Sequence, residues 1–354
     1  MSLDPAALQR LLRARLPGAD DVQVTGIKQF ARGVSRETWV VHLAGDGVPA
    51  SVTIRRDLPG GSVAPSALRD EYEIYRRLER SEVPVARALF FEEEPSEFLP
   101  GPSFYVREFV PGSMDVPGFD DPDPRFDEVR IEASKEHLRK LALIHTCDWQ
   151  ALGFDEILPA PPSAERCASH ALDLVEQKYE DLRADVYPDI TAGLQWLRAH
   201  AGFAAPRRSL VKGNNGRGEE IWQGTQIVAM SDWELASIGD PTFDFAQLQD
   251  LIPQVGPVDA PAWGLDAALA YYEQVSGIHI DKQSLYYYRT LYAVDKACNG
   301  LAGLRMLADG HLGARFAWVG SEVLYRARRS LAEAAGVFGS AEGAAENVLM
   351  PASV

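Results

Sequence analysis

The chain has 354 residues, of which 46% are hydrophobic and 24% charged, and its formal net charge is −16. This composition is typical of a soluble globular protein, and the negative charge disfavours nucleic acids and anionic membranes as partners because both repel it. The three cysteines lie far apart without a Cys-x-x-Cys pair, and Met1–Pro5 is not a leader peptide, so we expect a cytoplasmic protein without disulfides or a zinc site.

The first third of the chain predicts a small sheet that carries one helix. A leucine-spaced amphipathic pattern over residues 5–16 predicts a helix that Pro17-Gly18 ends. Two β-prone runs joined through Asp46-Gly47 predict a hairpin. The predicted elements after residue 16 are strands at 36–43 and 51–56, a helix at 66–80, and strands at 85–92 and 103–110.

The rest of the chain is mainly helical by its pattern. Residues 111–126 are rich in Pro, Gly and Asp and predict a linker or surface loop. The predicted helices are 127–146, 163–182, 189–202, 264–276, 284–308 and 312–335. Two short apolar runs, Ser209–Val211 and Gln226–Met230, interrupt them and enclose a loop rich in Gly and Asn. The patternless end of the chain predicts a flexible tail.

Two features of the N-terminal part are suited to holding phosphate. The turn Arg32–Trp39 contains Gly33 and Ser35 and can direct backbone N–H groups at a phosphate, although an ordinary hairpin loop has the same composition. Arg55 lies on a predicted strand and Glu71 on the next helix. Kinase-like folds hold nucleotide phosphates with such a pair, but an exposed arginine and a solvated glutamate would look alike in sequence.

Two features of the C-terminal part are suited to catalysis. The glycines and asparagines of the loop 212–220 permit positive φ and close approach to a ligand, and the loop matches neither a Walker A motif nor a dinucleotide fingerprint. Asp232 follows an apolar strand, where a carboxylate is well placed to bind a metal ion. Asp232 could equally cap a helix, and Asp240 and Asp244 could cap turns.

Together these motifs resemble the aminoglycoside phosphotransferase and choline kinase superfamily, most of all the branch of kinase-like domains associated with acyl-CoA dehydrogenases. The resemblance covers about residues 25–300. Its motifs are the loop Arg32–Trp39, Ile54–Asp57, Arg69–Tyr72, Phe104–Glu108, Leu141–His145, Asp232-Trp233-Glu234 and Gly239-Asp240-Pro241.

The resemblance implies an α+β, two-lobed, protein-kinase-like fold. It implies a nucleotide-binding lobe at 1–110, a catalytic and acceptor lobe at 111–340 and a flexible tail at 341–354. The implied cofactors are ATP and Mg²⁺, and the implied partner is a small hydroxylated substrate. The implied site residues are Gly33, Ser35, Arg55, Glu71 and Glu108 for the nucleotide, Asn214, Lys212 and Asp232 for catalysis, and Asp232 with Glu219 for the metal.

The catalytic loop departs from the family pattern. The family has His-Gly-Asp with an Asn five residues later, whereas this chain has Lys212-Gly213-Asn214 and then Glu219. Asn214 cannot accept a proton at neutral pH, and loss of a general base typically lowers the rate by about 10²–10⁴. The negative charge has moved to Glu219, toward the expected metal position, where Asp232 and Glu219 (or Glu220) would hold Mg²⁺, and Lys212 would add a cation near the transferring phosphate.

Two hypotheses follow. In the first, the protein is a divergent ATP-dependent O-phosphotransferase in which Asn214 orients the acceptor hydroxyl. A phenolic acceptor would suffer least from the lost base, because phenols ionise near pH 10. In the second, it is a pseudokinase that binds nucleotide or substrate and regulates a partner subunit. We interpret His145, on an apolar helix face, as a structural histidine, and the scarcity of carboxylates near the C-terminus disfavours aminoglycosides as acceptors.

Overall fold

The computed structural model describes residues 3–30, 36–57, 66–93, 96, 101–204, 206–216, 218–257, 259–311 and 314–335. Its N-terminal part contains a five-stranded antiparallel sheet in the order β1-β2-β3-β5-β4. The strands are β1 (Gln23–Phe30), β2 (Arg36–Ala44), β3 (Ser51–Asp57), β4 (Ala88–Glu92) and β5 (Phe104–Glu108). The sequence did not predict β1, which is an edge strand that is mostly exposed and so lacks a clear alternation of apolar residues.

The two faces of this sheet are covered by different helices. Apolar side chains such as Trp39 and Ile54 point to the face covered by α1 (Pro5–Arg15). Because side chains alternate along a strand, Arg55 points to the opposite face, which α2 (Leu68–Leu78) covers. There Arg55 pairs in register with Tyr105 on the neighbouring strand. The guanidinium of Arg55 therefore points from β3 to the side of the sheet on which the C-terminal part of the chain lies.

The C-terminal part is mainly helical and packs against α2. One apolar core joins the two parts, and it includes Tyr75, Tyr105, Leu141 and Trp233. The helices are α3 (Asp127–Thr146), α4 (Cys167–Leu182), α5 (Pro188–Ala199), α6 (Thr242–Phe245), α7 (Leu265–Ser276), α8 (Lys282–Ala308), α9 (Ala314–Trp318) and α10 (Leu324–Ala335). A π-helical turn, Val319–Val323, connects α9 to α10.

Two short ribbons position the candidate site. In one, β6 (Ser209–Val211) pairs with β9 (Ser237–Gly239), and in the other β7 (Glu220–Gln223) pairs with β8 (Gln226–Met230). The first ribbon anchors the start of the 212–219 loop, and the second anchors its end next to Asp232. The strands β7 and β9 have four and three residues, too few for a period-2 pattern to predict them.

This architecture confirms the predicted α+β, two-lobed, kinase-like fold. The sheet ends at Glu108 and the first long helix of the second lobe begins at Asp127. The predicted tail at 341–354 lies outside the described residues. In the part of the chain that the structure describes, every helix is either too short or too polar to cross a bilayer.

Candidate active site

The site is centred on an ion pair between the two lobes. Arg55 Nη2 on β3 donates to Asp232 Oδ1 at 2.7 Å, and the two residues are 177 positions apart in sequence. The same nitrogen lies 3.5 Å from Glu234 Oε2. Burial opposes the charge of Arg55, but Glu71 and Asp232 raise its pKa well above the usual value. The cation on β3 and the carboxylate after β8 therefore meet in one cleft.

Glu71 on α2 lies against Arg55. Its Oε1 lies 3.1 Å from Arg55 Nε and accepts a hydrogen bond of 3.0 Å from the hydroxyl of Tyr105. Its Oε2 bonds to Arg36 Nη1. Because the Glu71 side chain is wholly buried, its charge needs these two hydrogen bonds and the nearby charge of Arg55.

Arg36 is a second arginine of this network that the sequence did not single out. It is 3% exposed, donates to Asp57 at 2.9 Å and to the Ser66 carbonyl at 2.7 Å, and lies 3.7 Å from Glu234 Oε2. It thus ties the start of β2 to the end of β3 and to α2. Its place directly after the glycine-serine turn was the only signal in the sequence.

Asp232 has an unusual backbone conformation. Among the described residues other than glycine, it alone has a positive φ, of 60°. Such strain persists where the surroundings hold it, and it occurs often at functional sites. Ser231 supplies one restraint, since its N–H and its hydroxyl donate to the Glu219 carbonyl at 3.1 and 2.6 Å. That link also fixes the distance between Asp232 and Glu219.

Asn214, Glu219 and Asp232 form one group of polar side chains. Asn214 Nδ2 donates to Asp232 Oδ2 at 2.6 Å. Although burial opposes ionisation, Arg55 lowers the pKa of Asp232 to about 2. Burial and the charge of Asp232 raise the pKa of Glu219 to about 9. The two carboxyl groups therefore hold one negative charge between them at neutral pH.

Lys212 lies beneath this group and is completely buried. Its ammonium donates to the Asn214 carbonyl and lies 3.7 Å from Glu220 Oε1. The charge of Lys212 favours the ionised forms of Asp232 and Glu219. Burial raises the pKa of Glu220 to about 7 in spite of Lys212. In this geometry Lys212 supports the loop and acts on the site through its electric field; its predicted action on a transferring phosphate stays a prediction.

Asp244 holds the loop that begins at Lys212, a role that no pattern in the sequence indicated. Its side chain is wholly buried and accepts from the backbone N–H groups of Lys212 and Gly213, each at 2.8 Å, and from Asn215 Nδ2 at 2.7 Å. His145 Nε2 lies 2.9 Å from the same carboxylate, and its other ring nitrogen lies 2.7 Å from the Tyr272 hydroxyl. The structural interpretation of His145 is confirmed, whereas Asp244 does more than cap a turn.

The carboxylates of the cleft fit a metal that keeps other ligands. Among the described residues, no three His, Cys, Asp or Glu side chains converge as a metal cage would require. Asp232 and Glu219 offer two carboxyl groups whose mutual repulsion a divalent cation would relieve. Mg²⁺ in particular is usually bound through one or two carboxylates together with substrate phosphates and water. The donor set therefore fits Mg²⁺ bound with a nucleotide.

The structure leaves three predicted residues outside this group. Gly33 and Ser35 fall outside the described residues, so their predicted contact with phosphate stays a prediction. Glu108, at the end of β5, pairs with Arg87 Nε at 3.0 Å and lies opposite Val52 in the sheet, three residues along β3 from Arg55. Its predicted role in nucleotide binding also stays a prediction.

The chain is similar in sequence to known proteins. A sequence model of the phosphotransferase enzyme family matches residues 26–278. Acyl-CoA dehydrogenase family member 10 of Mus musculus is 27% identical over 252 residues, which cover 70% of this chain and 22% of that protein. Family member 11 of Gallus gallus is 24% identical over 250 residues, covering 69% and 30%. The chain thus spans less than a third of the length of these curated relatives.

Solved structures share the fold. A protein of Ralstonia eutropha JMP134, provisionally described as an aminoglycoside phosphotransferase, has a TM-score of 0.65 and 22% identity, covering 93% of this chain and 98% of that one. APH(4)-Ia, in a complex with ADP and hygromycin B, has a TM-score of 0.57 and 15% identity, covering 92% and 98%. Macrolide 2'-phosphotransferase MphH of Brachybacterium faecium has a TM-score of 0.59 and 16% identity, covering 90% and 97%.

Proposed function

Because the chain belongs to the phosphotransferase enzyme family, we propose that it is an ATP-dependent kinase that phosphorylates a hydroxyl group of a small molecule. The observation that carries this proposal is the contact of Asp232 with both lobes. It binds Arg55 from the sheet at 2.7 Å and Asn214 from the catalytic loop at 2.6 Å. A nucleotide phosphate and an acceptor hydroxyl could therefore meet at one carboxylate.

Arg55 would bind the α- and β-phosphates of the nucleotide. Its guanidinium is held by Glu71, which Tyr105 and Arg36 hold in turn. A guanidinium fixed in this way loses little conformational freedom when it binds an anion. Nucleotide binding would exchange part of the ion pair with Asp232 for phosphate contacts, since both anions use the same face of Arg55.

Asp232 and Glu219 would bind Mg²⁺ through their carboxylates. Once Arg55 binds phosphate, Asp232 can turn its charge to the metal, and Glu219 can lose its proton to the solvent. When bound, Mg²⁺ would neutralise charge on the β- and γ-phosphates during transfer. Lys212 adds a fixed positive charge below both carboxyl groups and limits the repulsion between them.

Asn214 would orient the acceptor. Its amide can orient a hydroxyl toward the γ-phosphorus but cannot take its proton. The acceptor oxygen forms the new P–O bond as the bond to the β–γ bridging oxygen breaks, and the proton leaves to the transferred phosphoryl group or to water. Such a route is open because phosphoryl transfer has a loose transition state, so positioning and electrostatics dominate its catalysis. It favours an acceptor that ionises readily, such as a phenol.

The nature of residue 214 also favours a second candidate, a nucleotide-binding regulatory subunit. The amide of Asn214 donates to Asp232 where the family has a proton-accepting carboxylate. A chain of this kind would keep the nucleotide and act on a partner protein. The longer relatives, named as acyl-CoA dehydrogenase family members, make such a partner a reasonable object of search.

The two candidates separate in one experiment. Wild-type protein, Asn214→Asp and the control Asn299→Asp are incubated with ATP, Mg²⁺ and a panel of phenols and alcohols, and both ADP and phosphorylated product are measured. Asn299 is a buried asparagine that accepts from Lys178 at 2.7 Å, remote from Asp232 in sequence and contacts. The kinase predicts product from the wild type and less from Asn214→Asp. No product from the wild type, with ATP hydrolysis gained by Asn214→Asp, would establish the regulatory subunit instead.

A further inference from the structure

A further positive charge, that of Lys296, interacts with Glu234, which lies 3.5 Å from Arg55 in the cleft. Lys296 and Tyr292 lie one turn apart on α8, and Lys296 Nζ is 5.0 Å from the centre of the Tyr292 ring. Tyr292 packs edge-on against Phe243, with ring centres 6.2 Å apart. Phe243 directly precedes Asp244, the residue that holds the catalytic loop. Lys296, Tyr292 and Phe243 therefore form a continuous row of contacts that ends beside Asp244 in the chain.

The carboxylates nearest to Lys296 are already engaged with other cations. Glu234 and Asp295 both act on its charge. Glu234 lies 3.5 Å from Arg55 and 3.7 Å from Arg36, and Asp295 accepts from Lys178 at 2.6 Å. Among the described residues, no carboxylate oxygen lies within 4 Å of Lys296 Nζ, the limit for an ion pair. The side chain in contact with Lys296 is Tyr292.

The ammonium is nevertheless charged at neutral pH. Burial opposes its charge, but Tyr292, Asp295 and Glu234 together raise the pKa of Lys296. Lys296 as a whole residue is only partly buried. A partly desolvated cation without a carboxylate partner gains free energy when an anion binds to it.

We propose that Lys296 binds an anionic group of the acceptor, so that the substrates are small hydroxylated anions that carry a carboxylate or a phosphoester. This inference rests on the proposed kinase function and names its acceptor class. The hydroxyl would lie at Asn214 and the anionic group at Lys296, on the two sides of the Phe243 and Tyr292 rings. The aromatic rings would also pack against the carbon skeleton between the two groups. Cationic acceptors such as amino alcohols would be repelled by Lys296.

The test uses protein saturated with Mg²⁺ and the non-hydrolysable ATP analogue AMP-PNP, so that nucleotide phosphates cover Arg55. Lactate, glycerol 3-phosphate, glycerol and ethanolamine are then titrated separately by calorimetry. The variants are Lys296→Met, which keeps the aliphatic bulk, and the control Lys282→Met. Lys282 is on the same helix, in an ion pair of 2.8 Å with Asp266 at the surface.

We expect one of the two anions to bind more tightly than glycerol and ethanolamine, and the preferred anion distinguishes the carboxylate from the phosphoester. Lys296→Met should weaken the binding of that anion by roughly 10- to 100-fold, which is the effect of losing one charge-assisted hydrogen bond. It should leave the affinity for AMP-PNP unchanged. Lys282→Met should change neither affinity.

Two results would overturn the inference alone while the proposed function stands. One is nucleotide-loaded wild type that binds neither anion better than glycerol, and the other is Lys296→Met with wild-type affinity for the anion. A purely structural role for Lys296 beneath Tyr292 predicts the second result. Wild type that binds no AMP-PNP at all would overturn the proposed function first, so the two failures are distinguishable.

Discussion

Arg55 and Asp232 are joined by a hydrogen bond of 2.7 Å across the cleft, although they belong to different lobes. The pair brings the cation that we propose for phosphate and the carboxylate that we propose for the metal to the same point. In this structure the charge of Arg55 is opposed by that of Asp232. The stability of the cleft and its function therefore depend on the same few charges.

Removing the cation should destabilise the protein strongly. Arg55→Met removes a hydrogen-bond donor from Asp232 and the neighbouring positive charge from the buried Glu71, and we expect a loss of about 3–5 kcal/mol in the free energy of unfolding. Urea denaturation measures this loss. Arg328→Met is the matched control, because Arg328 also binds a carboxylate, that of Asp189 at 2.6 Å, but at a partly exposed site. A loss of under about 1 kcal/mol is expected there, and equal losses in both variants would contradict the account.

The catalytic loop requires glycine at position 213. Gly213 has a φ of +77°, and a Cβ atom there would lie 2.0 Å from the Leu235 carbonyl oxygen. Gly213→Ala should cost more than about 3 kcal/mol, because overlap adds to backbone strain. Gly224 has a φ of +61° with open space around it, so Gly224→Ala should cost only about 1 kcal/mol. Thermal unfolding of the two variants tests this difference. Equal losses of stability in both variants would show that residue 213 is not in close contact with the Leu235 carbonyl oxygen.

Asp244 should matter more than Asp240 although both are buried. Asp244→Asn places an amide among donors that need an acceptor, and we expect a loss of about 2–4 kcal/mol in the free energy of unfolding together with weaker nucleotide binding. Burial raises the pKa of Asp240 to about 6, and one of its oxygens has no hydrogen-bond partner among the described residues. Asp240→Asn should therefore have the smaller effect. The reverse order, measured by denaturation, would remove Asp244 from its role.

The contrast between these residues shows how far the sequence could predict the site. Arg55, Glu71, Asn214, Glu219 and Asp232 were predicted, and the structure brings them together. They could be found because each stands in a motif that resembles a motif of the phosphotransferase family. The fold followed from the same motifs and from the change from strand patterns to helix patterns near residue 111.

Other parts of the site depend on contacts between distant segments. Asp244 accepts hydrogen bonds from residues 29 to 32 positions away, and no local pattern reports such bonds. Arg36 belongs to a strand, and only the packing of α2 places Glu71 beside it. The edge strand β1 is exposed on most of its length, so its sequence lacks the alternation that burial imposes on inner strands.

The pair of Glu219 and Asp232 should make stability depend on pH. The pKa of Glu219 is raised in the folded protein from 4.5 to about 9, so the folded state binds more protons than the unfolded state between these values. The stability that Glu219 contributes is complete below about pH 4.5 and is lost as the pH rises toward 9. Glu219→Gln should therefore show a smaller decline from pH 6 to pH 9 (about the range of ordinary buffers).

Thermal unfolding across this pH range measures the decline. Glu180→Gln is the control, because Glu180 is an exposed carboxylate on α4. A decline that is as steep in Glu219→Gln as in the wild type would show that the carboxyl pair does not share a proton.

The most direct measurement is the calorimetric affinity for AMP-PNP with and without Mg²⁺, compared between wild type, Asp232→Asn and Asp189→Asn. Asp189 is matched to Asp232, since both bind an arginine and their side chains are 19% and 18% exposed. We predict that Mg²⁺ strengthens binding by roughly 100-fold in the wild type and in Asp189→Asn, and that Asp232→Asn abolishes this gain. No nucleotide binding by the wild type, or an undiminished effect of Mg²⁺ in Asp232→Asn, would contradict the account.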